Sequence, residues 1–144
     1  MVYHITMKYV VKNLEETKEL AEKFAKNLNV GDMVLLSGDL GAGKTTFTQF
    51  VFKALGVKEV VNSPTFAVLK SYKSTVCDLH HFDCYRINTE EAIECGFDEI
   101  LSDKNSIIFI EWAEMIKELI PLNYIDIKIK LKENNEREFE IIRK

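Results

Sequence analysis

Arginine is scarce in this chain. Nineteen residues are Lys or Arg, yet only Arg86, Arg137 and Arg143 are arginines, and two of the three lie close to the C-terminus. A protein that grips a polyanion unaided carries clustered basic side chains. Here there is no basic block, and the formal net charge is −4, so tight direct binding of RNA or DNA is not expected. Cysteine is also sparse. Three cysteines, an odd number without framework spacing, fit free thiols in a reducing compartment rather than a disulfide scaffold. No apolar stretch approaches the roughly 20 residues that span a bilayer, and the N-terminus lacks a signal peptide's charged-then-apolar layout. The expectation is a cytoplasmic protein without membrane contact. With two prolines, six glycines and no linker or repeat, the 144 residues are read as one domain, 1–144, long enough to bury its own core.

What is present is a phosphate loop. Gly38-Asp39-Leu40-Gly41-Ala42-Gly43-Lys44-Thr45 fits G-x-x-x-x-G-K-T in full. Met33 to Leu36 is an apolar run of strand length, and Phe47, Val51, Ala54 and Leu55 recur at helical spacing until Gly56. That strand–loop–helix context separates a working loop from a chance match. Glycines let backbone N–H groups turn inward around a di- or triphosphate, and the following helix adds its positive N-terminus. Lys44 is expected at the β/γ-phosphates and the Thr45 hydroxyl on Mg²⁺.

The rest of the chain organises around this unit. Met1 to Tyr9 reads as an edge strand. Asn13 with Glu16 makes a helix-capping arrangement, and Leu14, Thr17, Ala21, Phe24 and Leu28 mark one apolar face. Val60-Val61 is read as a short strand. Phe66 to Tyr72 and Thr75 to Tyr85 form an expected antiparallel pair. Short helices follow at Asn88 to Gly96 and Asp98 to Leu101, then a buried strand at Ser106 to Ile110 and a helix of about two turns before Pro121. Ile125, Ile127, Ile129 and Leu131 alternate with charged residues, Asn134-Asn135 turns the chain, and Phe139 and Ile141 alternate on the return. The fold class is α/β: a three-layer P-loop NTPase-like fold with a mixed, largely parallel sheet, added antiparallel strands and a C-terminal hairpin.

Turnover of a bound nucleotide needs an acid near the metal and a group to orient water. Ile107-Ile108-Phe109-Ile110-Glu111 has the Walker-B layout, four apolar residues and an acid at the strand's carboxyl end, beside the P-loop in a parallel sheet. Glu111 is a candidate for holding Mg²⁺ or polarising water. On a strand, His81, Asp83 and Tyr85 share one face and Phe82 and Cys84 the other. Asp83 is then either a second metal-site acid or general base, or part of a polar surface stripe. Cys77, His80, His81 and Cys84 invite a zinc reading, but alternation divides them between two faces with no Gly or Pro to turn the chain. Cys95 is expected to pack near a helix end. Ser63-Pro64-Thr65 is either a plain turn or a γ-phosphate-sensing segment. Trp112, the only tryptophan, is either a packing residue or a neighbour of the nucleotide.

Four stretches together carry a resemblance: the P-loop run on to Thr46-Phe47, Ser63-Pro64-Thr65-Phe66, His81 to Arg86, and Glu111-Trp112. In their order and spacing the chain resembles the TsaE (YjeE) family, the small ATPases of bacterial tRNA threonylcarbamoyladenosine synthesis. The resemblance implies an accessory ATPase, using ATP/ADP and Mg²⁺, that acts on a threonylcarbamoyl-transferase subunit and its paralogous dimer partner (TsaD and TsaB type) so that adenosine 37 is modified repeatedly. It implies Thr45 and Glu111 as metal-site residues, Asp83 and Thr46 as needed for turnover with Lys44, and Trp112 beside the nucleotide. The segment around Thr17 would approach the adenine. Cys84 stands where an aliphatic is common.

Two rivals differ in class. A small-molecule kinase would carry a lid with phosphate-clamping arginines; the chain has no insertion of that length, and two of its arginines belong to the terminal hairpin. A non-hydrolysing nucleotide-sensing module would not need two placed acids. Without an evident arginine finger, slow turnover alone is expected. No N/T-K-x-D run reads guanine, so ATP is favoured over GTP.

Overall fold

The computed structural model describes residues 5–39, 41–62, 64 and 68–144. Seven strands form one sheet in the order β1-β7-β6-β2-β5-β4-β3. They are β1 (Ile5–Val11), β2 (Met33–Gly38), β3 (Leu69–Lys73), β4 (Asp78–Asp83), β5 (Ser106–Glu111), β6 (Ile125–Leu131) and β7 (Arg137–Arg143). The four central strands β6-β2-β5-β4 run parallel, and the antiparallel pairs β1–β7, β6–β7 and β3–β4 lie at the margins. Helices α1 (Leu14–Lys26) and α2 (Lys44–Ala54) cover one face. Helices α3 (Thr89–Glu94) and α4 (Phe97–Leu101), with a 3₁₀ segment at Ala113–Leu119, cover part of the other. This is the expected three-layer α/β arrangement.

Local chemistry sets the ends of the elements. Asn13 Oδ1 accepts the Glu16 amide and the Glu16 carboxylate accepts the Lys12 amide, which closes the start of α1; such a cap contributes about 1 kcal/mol. Asn88 and Glu91 form a reciprocal capping box at α3. The core joins α1, α2 and the hairpin through aromatic rings: Phe47 lies 5.6 Å from Phe24 and 5.0 Å from Phe139. This anchor ties the P-loop helix to the C-terminal strand.

Four expectations change. The buried stripe of α1 is Thr17, Leu20, Ala21, Phe24 and Ala25. Leu14 is exposed, because the stripe's next place falls on the capping turn, where the Thr17 hydroxyl bonds back to the Asn13 carbonyl. That same bond, in a buried side chain, leaves the Thr17 hydroxyl engaged within the helix. Val60-Val61 is not a strand: Val60 is exposed, and the Val61 carbonyl accepts from the Gln49 side chain instead of a ladder partner. The antiparallel pair holds, but β4 starts only at Asp78, since the Ser74 hydroxyl bonds the amides of Val76 and Cys77 and the Cys77 carbonyl in a turn. The helix after Glu111 is 3₁₀ and broken at Ile116 (φ −130°, ψ 35°), whose side chain is fully buried. Phe66 lies outside the described residues, as do Leu40, Ser63 and Thr65. Among the described residues no helix is long and apolar enough to cross a membrane.

Candidate nucleotide-binding site

Parallel strands β2, β5 and β4 end together, and their carboxyl ends open onto a cleft of about 620 Å³. Open α/β sheets bind ligands at this edge. Gly38 closes β2 where nothing larger fits: a Cβ there would stand 2.6 Å from the Ile129 carbonyl oxygen. Gly43 caps α2 with φ +109°, a left-handed conformation natural to glycine. Between them the Ala42 amide bonds the Asp39 carbonyl. Asp39 is exposed and Ala42 is buried in the core, so these two serve through the backbone path; neither side chain lines the cleft.

Lys44, Thr45 and Thr46 form the first turn of α2, and all three line the cleft. Lys44 Nζ donates to the Gly38 carbonyl at 2.8 Å and stands 3.8 Å from Glu111 Oε1. Glu111 ends a strand buried along its whole length and is itself 5% exposed. Its other oxygen, Oε2, lies 2.9 Å from His81 Nε2. Asp83 pairs with Glu111 in the β4–β5 register, lines the same cleft and accepts the Tyr85 amide at Oδ1. His81 is fully buried, so the row His81–Asp83 runs into the site and is not a solvated stripe.

Trp112 stands immediately beyond β5 with φ +60°, a conformation that costs a bulky residue about 1–2 kcal/mol. It brings the indole within 5.9 Å of Lys44 Nζ and 4.8 Å of the Tyr85 ring. The indole is 40% exposed, so Trp112 forms a wall of the cleft.

Sequence reasoning missed Arg137. It opens β7, on the terminal hairpin, yet its side chain lies 3.4 Å from a Cβ position at Gly43, reaches the Gly41 carbonyl at 3.5 Å and lines the cleft. Its Nε is buried without a hydrogen-bond partner among the described residues. The available signal was topological. β7 returns antiparallel to β6, which is itself parallel to β2, so the start of β7 must lie at the P-loop end of the sheet. Arg137, named only as one of two hairpin arginines, thus belongs to the cleft. Arg143, at the other end of the strand, pairs with Asp32.

The donor set fits a magnesium nucleotide. The Lys44 ammonium, the α2 N-terminus and the Arg137 guanidinium, whose Nε has no partner among the described residues, meet at the cleft, as a polyphosphate requires. The Thr45 hydroxyl and the carboxylates of Asp83 and Glu111 line the same cleft, oxygen donors of the kind magnesium takes. Among the described residues the cysteines form no competing metal set. Cys84 is buried in the core on one face of the sheet and Cys77 packs against the core of the other, so they do not converge on one metal; burial, then the charges of Asp83 and Glu114, push the Cys84 thiol up to about 12. Cys95 caps α3 but is exposed rather than packed.

The family model described as threonylcarbamoyl adenosine biosynthesis protein TsaE matches residues 11–139. The chain is 42% identical over 131 residues to the tRNA threonylcarbamoyladenosine biosynthesis protein TsaE of Rickettsia prowazekii, covering 90% of each. It is 41% identical over 132 residues to the Bacillus subtilis protein of that name, covering 92% of this chain and 82% of the relative. The crystal structure of Bacillus subtilis YdiB superposes with a TM-score of 0.83 at 34% identity, over 99% of this chain and 88% of that one. The chain belongs to the TsaE family.

Proposed function

We propose that the protein is a magnesium-dependent ATPase that serves threonylcarbamoylation of tRNA adenosine 37 by acting on the threonylcarbamoyl-transferase complex. One observation carries the ATPase reading: Lys44, Thr45, Asp83, Glu111 and Arg137, drawn from four separate elements, converge on one cleft with Trp112 as its wall. The tRNA pathway rests on family membership.

In this reading the α2 N-terminus, Lys44 and Arg137 bind the polyphosphate of ATP or ADP. Lys44 leaves the Gly38 carbonyl for the β/γ-phosphates, where a full charge offers it a stronger hydrogen bond than a neutral carbonyl does. Thr45 and Glu111 would hold Mg²⁺, which neutralises charge on the transferring phosphoryl group. Asp83, with Thr46 beside it, orients and deprotonates the attacking water. Arg137 supplies the cation whose absence from the sequence motif argued for slow turnover. The protein acts in the cytoplasm through contacts with a transferase subunit and its paralogous partner of TsaD and TsaB type, and not by gripping tRNA itself. The test is ATP hydrolysis by the purified protein with and without that complex. Stimulated hydrolysis that disappears in Lys44→Ala supports the reading; no hydrolysis in either setting contradicts it.

A further inference from the structure

One buried group at the edge of the site has no part in the proposed chemistry. His81 lies on the α2 face of β4, 1% exposed, with its ring 6.1 Å from that of Phe52 and nearly perpendicular to it. Its single polar contact among the described residues is the 2.9 Å bond from Nε2 to Glu111 Oε2, while Nδ1 has no partner. Leaving one nitrogen of a buried imidazole without a partner is costly. A carboxylate only accepts hydrogen bonds, so Nε2 carries the hydrogen and donates it.

The consequence falls on Glu111. Its side chain has several rotatable bonds and stands at a strand end beside the Lys44 ammonium. Without a second partner the carboxylate would be free to turn toward that cation. With Oε2 held by His81, Lys44 stays at 3.8 Å from Oε1 and keeps its bond to Gly38. One oxygen is committed to the protein interior, and the other is presented to the cleft.

We infer that His81 is the positioning residue of Glu111: its Nε2–H fixes the carboxylate so that only Oε1 faces the nucleotide and its metal. The inference rests on the proposed nucleotide site and sharpens it. Outer-shell partners of ligating carboxylates and imidazoles are typically worth about 10–100-fold in metal affinity or activity.

The test compares His81→Gln, His81→Asn and His81→Phe by calorimetric titration with ADP, with and without Mg²⁺, beside thermal melts. Glutamine can place a donor where Nε2 stands; asparagine places its amide near Nδ1, short of Glu111; phenylalanine keeps the ring and removes the donor. All three should bind metal-free ADP within about threefold of the parent, since the P-loop is untouched. The gain in affinity on adding Mg²⁺ should fall by about 10–100-fold in the Phe and Asn variants and recover in the Gln variant. Should the Phe variant not melt cooperatively, the contrast between Gln and Asn decides the matter. Equal Mg²⁺ gains in the Gln and Asn variants, whether retained or lost together, overturn the inference. Failure of the parent to bind ADP at all would instead refute the nucleotide site on which it depends.

Discussion

The two halves of the sheet bury their residues differently. In β5, between two helical layers, all six residues are buried, and the strand reads as an unbroken apolar run into Glu111. In β6, Ile125, Ile127 and Ile129 are buried beneath α1 and α2, while Asp126, Lys128 and Lys130 occupy the opposite face. The cleft draws on both halves. From the two-sided half come Glu111, Asp83 and His81, acids and their orienter held in a low-dielectric setting where an electrostatic contact is strong and an unpaired group is costly. From the one-sided half comes Arg137, a cation on a strand whose other face meets water. The difference teaches that the covered half matches its acid Glu111 with specific partners, His81 and Lys44, whereas the open half lends the site a cation, Arg137, from a strand covered on one face only.

Glu111→Gln and Asp83→Asn probe the covered half, where the largest effects belong. Hydrolysis in the assembled complex should fall by about 10²–10⁴, the usual worth of a positioned acid or base. Affinity for metal-free nucleotide should hold or rise, since each change removes negative charge near a polyanion. Parent-rate hydrolysis by one variant would remove that residue from the chemistry.

Phe139→Ala breaks the link between the halves. Phe139 is fully buried against Phe47 of α2, so truncation should cost about 3–5 kcal/mol by denaturant unfolding. A loss under 1 kcal/mol would mean that the hairpin is not anchored to the P-loop helix as described.

Arg137→Ala tests what the open half gives the site. Removing a charged hydrogen bond to phosphate should weaken ADP binding by about 1.5–3 kcal/mol with little change in the melting temperature. Unchanged affinity would return the cleft to the covered half alone.

Asp126→Asn is the mildest probe. Burial, the largest influence, pushes the Asp126 carboxyl above its ordinary value of 3.8; Lys128 and Lys144 pull it back, and Glu140 and Glu114 add to the rise. With the folded value raised, its contribution favours folding below the unfolded value and is lost as pH rises through the folded one. Asp126→Asn should therefore melt slightly higher than the parent at neutral pH, and the gain should vanish in the acid range. A lower melting temperature at neutral pH would contradict the sign.

How much was legible follows the same division. The P-loop, the β5 run into Glu111 and the Asn88 capping box are contiguous signals whose spacing alone carries the physics. His81 was visible as a residue of the right face, but its partner lies 30 positions away on another strand, and only the β4–β5 register brings the two together. Arg137 was counted and dismissed because hairpin membership says nothing of which sheet end a strand begins at. Trp112's left-handed backbone has no composition signal, since a glycine or asparagine would be the usual choice there. Leu14 shows the opposite failure, an apolar residue that fits a helical period but falls where the helix has barely begun.

The central claim is that this cleft takes a magnesium nucleotide on Lys44 with Trp112 at its wall. It is tested most directly by titrating Mg·ADP into the parent and Lys44→Ala proteins, following heat and indole emission together. The account predicts saturable binding with a change in Trp112 fluorescence in the parent. In Lys44→Ala it predicts affinity weaker by at least about tenfold, the worth of one hydrogen bond to a charged group, and no emission change at matched concentration. Equal affinity in the two proteins, or binding that leaves the indole signal flat, would contradict it.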